Sequence, residues 1–283
     1  MPTDPLHRLA RPSSPARPDP RFAISLWRRI EEELGMTDTD QLARPGLTTG
    51  QVGLIHIHFD DADRAARFFG GLLDWEASPY RAETFTRHYV TNTELLTVLT
   101  SDTDTPTVRL WFAVTDLEAA VEAVDGFGGR VQTADLSQEG GFALVDDGQG
   151  TPLGLWRPRS DHPTGEARRT PLGEVGYVTL HVPEAAPAMA FYEAMLGWRF
   201  QDPRGNDYHH VDNTRLHLGL YGGHDTPHVT WYIRVGDVAA LVPRVAELGG
   251  EPGEITESRS GLTAVCRDDQ GTTVLLWQPA PGY

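Results

Sequence analysis

The stretch that decides the fold reads DGQGTPLGLWRP at residues 147–158 and returns as DDQGTTVLLWQP at residues 268–279. Three earlier stretches return in the same order, with offsets of 123 residues at the start and 121 residues later. They pair GLIHIHF at 53–59 with GYVTLHV at 176–182, FFGGLLDW at 68–75 with FYEAMLGW at 191–198, and HYVTNTEL at 88–95 with HHVDNTRL at 209–216. Four matches in one order indicate internal duplication of a unit of about 110 residues.

Within the first unit, a strand, a helix and several short strands occur twice in succession. The first round predicts a strand at 53–59, a helix at 61–73 and strands near 86–91 and 94–100. The second round predicts a strand at 107–114, a helix at 117–127 and strands near 130–134, 142–146 and 152–157. Because the second unit repeats this pattern, we predict an α+β fold of two tandem domains with paired βαβββ motifs.

The predicted divisions are an N-terminal arm at 1–50, a domain at 51–158, a linker at 159–173 and a second domain at 174–283. The arm contains one predicted amphipathic helix, which Asp19 caps and Gly35 ends. We interpret its apolar stripe as docking on the body of the protein; a lid and a dimer contact are the alternatives. The stripe consists of Phe22, Leu26, Trp27, Ile30 and Leu34.

The composition limits the partners. A formal net charge of −16 argues against binding to nucleic acid or to anionic lipid. All 24 basic residues are arginine, which indicates a GC-rich bacterial genome and excludes Schiff-base chemistry on lysine. A single cysteine, Cys266, and the absence of an apolar signal or membrane segment predict a cytoplasmic protein. Its expected partner is a small-molecule ligand, and both a monomer and a homodimer remain open.

The arrangement resembles the vicinal oxygen chelate superfamily, which includes glyoxalase I, extradiol dioxygenases and bleomycin resistance proteins. The resemblance covers about residues 51–279. It depends on two repeated motifs. One is the end of the first helix of each unit, Phe-Phe or Phe-Tyr followed by Leu-Asp-Trp or Leu-Gly-Trp, and the other is the Asp-x-Gln-Gly turn. The closing Leu-Trp-Arg/Gln-Pro is similar to duplicated glyoxalase-like proteins of actinobacteria. The resemblance implies curved mixed sheets but no particular reaction, because this fold supports many.

The resemblance also implies where a metal ion would sit. Enzymes of the superfamily hold Zn, Ni, Fe or Mn with His and Glu side chains that face the hollow of the sheet. Aliphatic side chains, glycine and arginine do not bind such metals, so we expect no family-type metal and no cofactor. The residues at the implied positions are Leu54 and Tyr177, Arg109 and Thr230, Gly154 and Leu275, with a last position near Thr97 and Leu218, given to within one residue.

Strand alternation predicts which side chains share the inward face of each domain. In the first domain this face, which we call the first hollow, carries Leu54, His56, His58, Arg109, Trp111, Ala113, Gly154 and Trp156. In the second domain the face, which we call the second hollow, carries Tyr177, Thr179, His181, Thr230, Tyr232, Arg234, Leu275 and Trp277, with His210 and His228 at its rim. We interpret the remaining histidines, His209, His217 and His224, together with His210 and His228, as surface scatter rather than a non-family metal site.

Three functions compete. The first is a metal-free protein that binds and sequesters a small aromatic or anionic molecule through His56, Arg109, Trp111, Trp156, Tyr232, Arg234 and Trp277. The second is a metal-independent isomerase, lyase or cyclase in which His58, His181 or Tyr177 serves as acid or base. The third is a metal-dependent lyase or dioxygenase with displaced ligands. A scaffold that assembles through the N-terminal helix is a further, purely structural possibility.

The alternative to a functional role is a structural one, in which the histidines and tryptophans only pack against the sheet. Arg109 separates the two interpretations, because a charge in a hollow needs a partner. If Glu94 supplies it, the pair is structural. If no residue does, a ligand anion is the natural partner.

Overall fold

The computed structural model describes residues 50–102, 108–137, 141–157, 170–203 and 206–281. The predicted arm helix with its apolar stripe and most of the predicted linker lie outside the described residues. No helix in the described ranges has the length and apolarity needed to cross a membrane.

The first domain is built on one mixed sheet. Its strands lie in the order β2-β3-β4-β1-β5-β8-β7-β6. The elements in chain order are β1 (Val52–His58), α1 (Ala62–Leu73), β2 (Ala77–Arg81), β3 (Thr86–Val90), β4 (Leu96–Thr100), β5 (Val108–Ala113), α2 (Leu117–Val124), β6 (Arg130–Asp135), β7 (Phe142–Asp146) and β8 (Pro152–Trp156).

The second domain repeats this plan with one strand fewer. Its strands lie in the order β10-β11-β9-β12-β15-β14-β13. The elements are β9 (Glu174–His181), α3 (Ala185–Leu196), β10 (Tyr208–Val211), β11 (His217–Tyr221), β12 (His228–Arg234), α4 (Val238–Glu247), β13 (Ile255–Ser258), β14 (Gly261–Arg267) and β15 (Thr273–Pro279). The α+β class and the two curved mixed sheets of paired βαβββ motifs are confirmed.

The edge strand β2 was not predicted, because Pro79 interrupts its pattern. Proline cannot donate to a β-ladder, so it is confined to edge strands, and β2 lies at the edge of the first sheet. In the second domain the corresponding pairing shrinks to one bridge between Phe200 and Val211.

Local sequence explains the helix ends. Asp61 and Asp116 cap α1 and α2 by accepting backbone N–H groups of the first turn. The α1 and α3 helices end at equivalent residues in the left-handed conformation, Asp74 at φ 57° and Gly197 at φ 64°.

The repeated Asp-x-Gln-Gly turn joins the two repeats as well as ending a strand. Asp147 accepts backbone N–H groups of its own turn, and Gln149 exchanges two hydrogen bonds with the backbone of Glu184 in the other repeat. Gln270 does the same with the backbone of Asp61. These reciprocal bonds relate the two repeats by an approximate twofold.

Two equivalent tryptophans, one in each repeat, also form equivalent hydrogen bonds to the other repeat or its flank. Nε1 of Trp75 donates to the Gly173 carbonyl at 2.7 Å, and Nε1 of Trp198 donates to the Gly50 carbonyl at 2.9 Å. Buried apolar residues of both repeats form one continuous core. The sheet faces opposite this core are the two hollows. The domain limits at 51–158 and 174–283 stay predictions.

Candidate functional site

The first hollow is built on strands β1, β5 and β8. Antiparallel pairing sets His56 opposite Arg109 and Leu54 opposite Trp111, and parallel pairing sets Trp111 beside Gly154. Because successive side chains alternate between the faces of a sheet, these five residues share one face. His58 and Trp156 follow on the same face by the same alternation.

The indole of Trp111 occupies the middle of the first hollow. Its ring lies 5.4 Å from the His56 imidazole and 6.0 Å from the Phe142 ring, measured between centroids. Next to it runs the backbone at Gly154, where a β-carbon would lie 2.2 Å from Cδ2 and Cε3 of the indole. The position that the resemblance assigns to a glutamate ligand therefore has no room for a side chain.

His58 is held by a carboxylate beyond the end of β4. Its Nδ1 lies 2.7 Å from Oδ1 of Asp102, and Arg87 donates to Oδ2 of the same residue at 2.7 Å. Burial opposes ionisation of Asp102, yet His58 and Arg87 hold the pKa of its carboxyl well below the usual range. The Nδ1–Oδ1 approach has the distance of an ion pair but not hydrogen-bond geometry, and the buried Nε2 of His58 has no hydrogen-bond partner among the described residues.

Arg109 has no ion pair in the part of the chain that the structure describes, and its buried Nε has no hydrogen-bond partner there. Glu94 is exposed, and its backbone N–H donates to Glu174 instead. Burial lowers the pKa of Arg109, and the field of Asp102 offsets only part of this effect. The structural ion pair with Glu94 does not form.

Other buried polar atoms of the first hollow, like Nε of Arg109, have no hydrogen-bond partner among the described residues. In folded proteins such atoms are normally paired with protein, water or ligand. Three of them, on Arg109, Trp111 and Trp156, are always N–H groups, so they offer donors to a ligand with acceptor atoms. The atoms without a hydrogen-bond partner among the described residues include Nε2 of His56, Nδ1 and Nε2 of His58, Oγ1 of Thr100, Nε of Arg109 and Nε1 of Trp111 and of Trp156.

Burial and nearby charges keep His56 neutral. Burial lowers the pKa of His56 well below its usual value; the cations Arg87 and Arg109 act in the same direction, and Asp102 acts against them. Because Arg87 is paired with Asp102, Arg109 is the cation of this group without an ion pair among the described residues.

In the second hollow, by contrast, hydroxyl groups pair with one another. The Tyr177 hydroxyl lies 2.7 Å from Nδ1 of His210 and accepts from the Tyr208 hydroxyl at 3.1 Å. Thr179 lies 3.0 Å from the same Tyr208 hydroxyl. Gly219 is required here, because a β-carbon would lie 2.3 Å from the Tyr208 oxygen. Burial raises the pKa of Tyr177 far above its usual value, so this hydroxyl stays protonated.

The other predicted residues of the second hollow are also engaged. Nε1 of Trp277 donates to the Ser260 carbonyl at 3.0 Å, and Arg234 donates to the Thr170 carbonyl. Tyr232 lies edge-on to Tyr177, and burial raises its pKa. No hydrogen-bonding atom of this face is both buried and unpartnered among the described residues.

Three histidines meet at the rim of the second hollow. Nδ1 of His181 lies 3.1 Å from Nε2 of His224, and the His181 ring stacks on His228 at 4.1 Å between centroids. Nε2 of His181 lies 3.0 Å from Oγ1 of Thr230. Burial, with the neighbouring His228 and His224, lowers the pKa of His181 to about 4. The structure thus brings together two histidines that we had interpreted as surface scatter.

The residues at the implied family metal positions do not fit a metal ion. Leu54 and Leu275 are buried aliphatic side chains, and Gly154 is closed by Trp111. Tyr177 is committed to its hydrogen bonds in the second hollow. No His–carboxylate ligand set stands at these positions.

The last implied position was given as near Thr97 and Leu218, to within one residue. Thr97 pairs with Ile55, and Leu218 pairs with Val178, so both lie on the core side of their sheets. Their neighbours on the hollow side are Leu96 and Val98 on β4, which do not bind metal, and His217 and Gly219 on β11, of which only His217 can.

Sequence reasoning missed several residues of these sites, among them Arg87, Asp102 and Tyr208. Asp102 lies past the end of β4, where alternation no longer applies. Arg87 could have been predicted from strand alternation. It lies on the same face of β3 as Tyr89 and pairs with Thr100, which lies beside His58.

Comparisons with known proteins agree with this architecture. A family model described as glyoxalase-like domain matches residues 55–155 and again residues 177–276. The CFP32 proteins of Mycobacterium bovis and Mycobacterium tuberculosis, which bear the provisional name glyoxylase, are each 28% identical over 189 residues, covering 62% of this chain and 71% of their own.

Two solved structures share the fold. The Mn(II)-bound glyoxalase of Novosphingobium aromaticivorans matches with a TM-score of 0.61 and 12% identity, covering 81% of this chain and 82% of its own. The 2,3-dioxygenase LapB of Pseudomonas sp. KL28 matches with a TM-score of 0.61 and 13% identity, covering 85% and 96%. At such identities the likeness concerns the fold alone.

Proposed function

The chain belongs to the glyoxalase-like domain family, and we propose that its first hollow binds a small planar organic anion without a family-type metal. The observation that carries this proposal is Arg109, whose guanidinium has no ion pair among the described residues and whose Nε is buried and unpartnered. Keeping a charge in such surroundings costs free energy unless a counter-charge accompanies it. An anionic ligand is the partner that completes this site.

The neighbouring side chains suit a flat ligand. Trp111 and Trp156 supply flat apolar surface and unpartnered N–H groups, and a guanidinium matches a carboxylate or phosphate with two parallel hydrogen bonds. A mostly apolar wall with a few polar groups is how small-molecule sites are usually built.

The second hollow supports the assignment by contrast. Its Trp277 and Tyr177 have partners within the protein, whereas Trp111 and Trp156 have none among the described residues. We therefore propose one ligand site for each chain. We place its role in sequestration in the bacterial cytoplasm, by a monomer or homodimer with domains at 51–158 and 174–283.

Calorimetric titration of the full-length protein with benzoate, 2-naphthoate and phenyl phosphate tests the proposal. We expect saturable binding of at least one of these anions and a loss of about tenfold or more in Arg109→Gln, because a hydrogen bond to a charged group contributes about 1.5–3 kcal/mol. The matched control is Arg130→Gln, an exposed arginine on β6. No binding of any anion, or equal affinities of the two variants, would overturn the proposal.

A metal-independent proton transfer in the same hollow is a second candidate, which the Asp102–His58 contact favours. A carboxylate on one imidazole nitrogen orients the ring and leaves the other nitrogen to move a proton. The other predicted acid–base residues, His181 and Tyr177, lie in the second hollow and stay predictions.

Deuterium exchange at the methylene group of phenylpyruvate, followed by NMR in D₂O, tests this second candidate. General acid–base catalysis typically contributes about 10²–10⁴-fold, so His58→Gln and Asp102→Asn should slow protein-dependent exchange by about 10²-fold or more. His210→Gln, in the second hollow, should retain the rate. Equal exchange rates with the unsubstituted protein and all three variants would exclude proton transfer by His58.

A further inference from the structure

We propose that His181, His224 and His228 form a binding site for a divalent transition-metal ion such as Zn²⁺ at the rim of the second hollow. The three side chains come from the end of β9, the loop after β11 and the first residue of β12. Strand pairing sets His228 directly opposite His181. One ligand atom from each residue lies within 4.8 Å of the others.

The donor set and spacing suit such an ion. Imidazole nitrogen is a common ligand for Zn, Cu and Ni, and three protein ligands leave a fourth tetrahedral position for water or a substrate. Two nitrogens at Zn–N distances of about 2.0–2.1 Å on a tetrahedral ion are about 3.3 Å apart. The 3.1 Å between Nδ1 of His181 and Nε2 of His224 is close to that separation.

The remaining ring nitrogens have the partners that metal-bound histidines usually have. Nε2 of His181 lies 3.0 Å from Oγ1 of Thr230, and Nδ1 of His228 lies 3.1 Å from the Thr226 carbonyl. A metal-bound histidine typically contacts an oxygen through its other nitrogen, which fixes the tautomer. These contacts leave Nδ1 of His181 and Nε2 of His228 for the ion.

One adjustment is required. The rings of His181 and His228 are stacked at an interplanar angle of 6°, whereas two ligands of one ion must direct their nitrogens toward a common point. His228 is exposed, so its ring can tilt at low cost.

This site differs from the position that the family resemblance implies. Tyr177 and Leu275 stand at that position, and His181 lies four residues further along the same strand as Tyr177. The proposal concerns the second domain and is independent of anion binding in the first hollow.

Titration of metal-free, full-length protein with Zn²⁺ by calorimetry, and with Co²⁺ by visible absorption, tests the site. We expect one equivalent of each metal to bind, and Co²⁺ to give the absorption of a tetrahedral nitrogen-ligated ion. His224→Ala and His228→Ala should each weaken Zn²⁺ binding by about 100-fold or more, because removal of an outer-shell partner alone costs about 10–100-fold.

The matched control is His217→Ala, an exposed histidine of the same domain outside the cluster. It should bind Zn²⁺ like the unsubstituted protein, and circular dichroism should show that all variants are folded. Absence of Zn²⁺ binding, or an affinity that His224→Ala and His228→Ala leave unchanged, overturns the proposal.

Discussion

The indole of Trp111 lies so close to Gly154 that a β-carbon at position 154 would be 2.2 Å from two ring atoms. The two residues are paired across β5 and β8. The indole of Trp111 therefore occupies the space that a side chain at position 154 would need.

Gly154→Ala should lower the free energy of unfolding by about 1–3 kcal/mol, because the added methyl group overpacks the contact with Trp111. In a Trp111→Ala background the same substitution should cost close to nothing. Urea denaturation of the two single variants and the double variant measures this coupling. An equal cost in both backgrounds would show that Trp111 is not what excludes a side chain at position 154.

Trp156 and Trp277 are equivalent residues, 121 positions apart, with different surroundings. Nε1 of Trp277 donates to Ser260, whereas Nε1 of Trp156 is buried without a partner among the described residues. We expect Trp277→Phe to cost about 0.5–1.5 kcal/mol more unfolding free energy than Trp156→Phe, because it removes one hydrogen bond, although the Ser260 carbonyl keeps the bond from the Ala280 N–H. Urea denaturation checks this, and an equal or reversed order contradicts the asymmetry of the two hollows.

Stability should fall as the pH decreases below about 6.5, in part because His56 must stay neutral in the folded protein. Its folded pKa lies well below the unfolded value of 6.5, so the unfolded state binds the extra proton. The stabilising contribution is complete above pH 6.5 and is lost as the pH falls toward the folded pKa, at up to about 1.4 kcal/mol for each pH unit.

His56→Gln should therefore have a shallower dependence of unfolding free energy on pH between 7.5 and 5.5. His217→Gln, at an exposed histidine, is the control and should keep the slope of the unsubstituted protein. Identical slopes for the two variants would mean that folding does not lower the pKa of His56.

The sequence predicted the duplicated fold well, because both its repeats and its strand periodicity are local signals. Alternation also placed His56, Arg109 and Trp111 on one face, which the register of β1 and β5 reproduces. The position near Thr97 came from the family resemblance, to within one residue, and the pairing of Thr97 with Ile55 sets it on the core side of the sheet.

The contacts that complete the candidate sites could not be predicted, since they join residues that are distant in the sequence. Asp102 reaches His58 from beyond a strand end. The cluster of His181, His224 and His228 depends on the pairing of β9 with β12 and on a loop. Such contacts arise from tertiary structure, and no single stretch of sequence encodes them.

The most direct test of the account is a cycle in which the ligand charge and Arg109 are removed separately. The affinities of 2-naphthoate and of neutral 2-naphthamide are measured by calorimetry for the unsubstituted protein and for Arg109→Gln. If Arg109 recognises the anion, the unsubstituted protein prefers 2-naphthoate by about tenfold or more, and the variant loses that preference, as expected for a charge-assisted hydrogen bond of about 1.5–3 kcal/mol. An equal preference in both proteins would contradict anion recognition by Arg109.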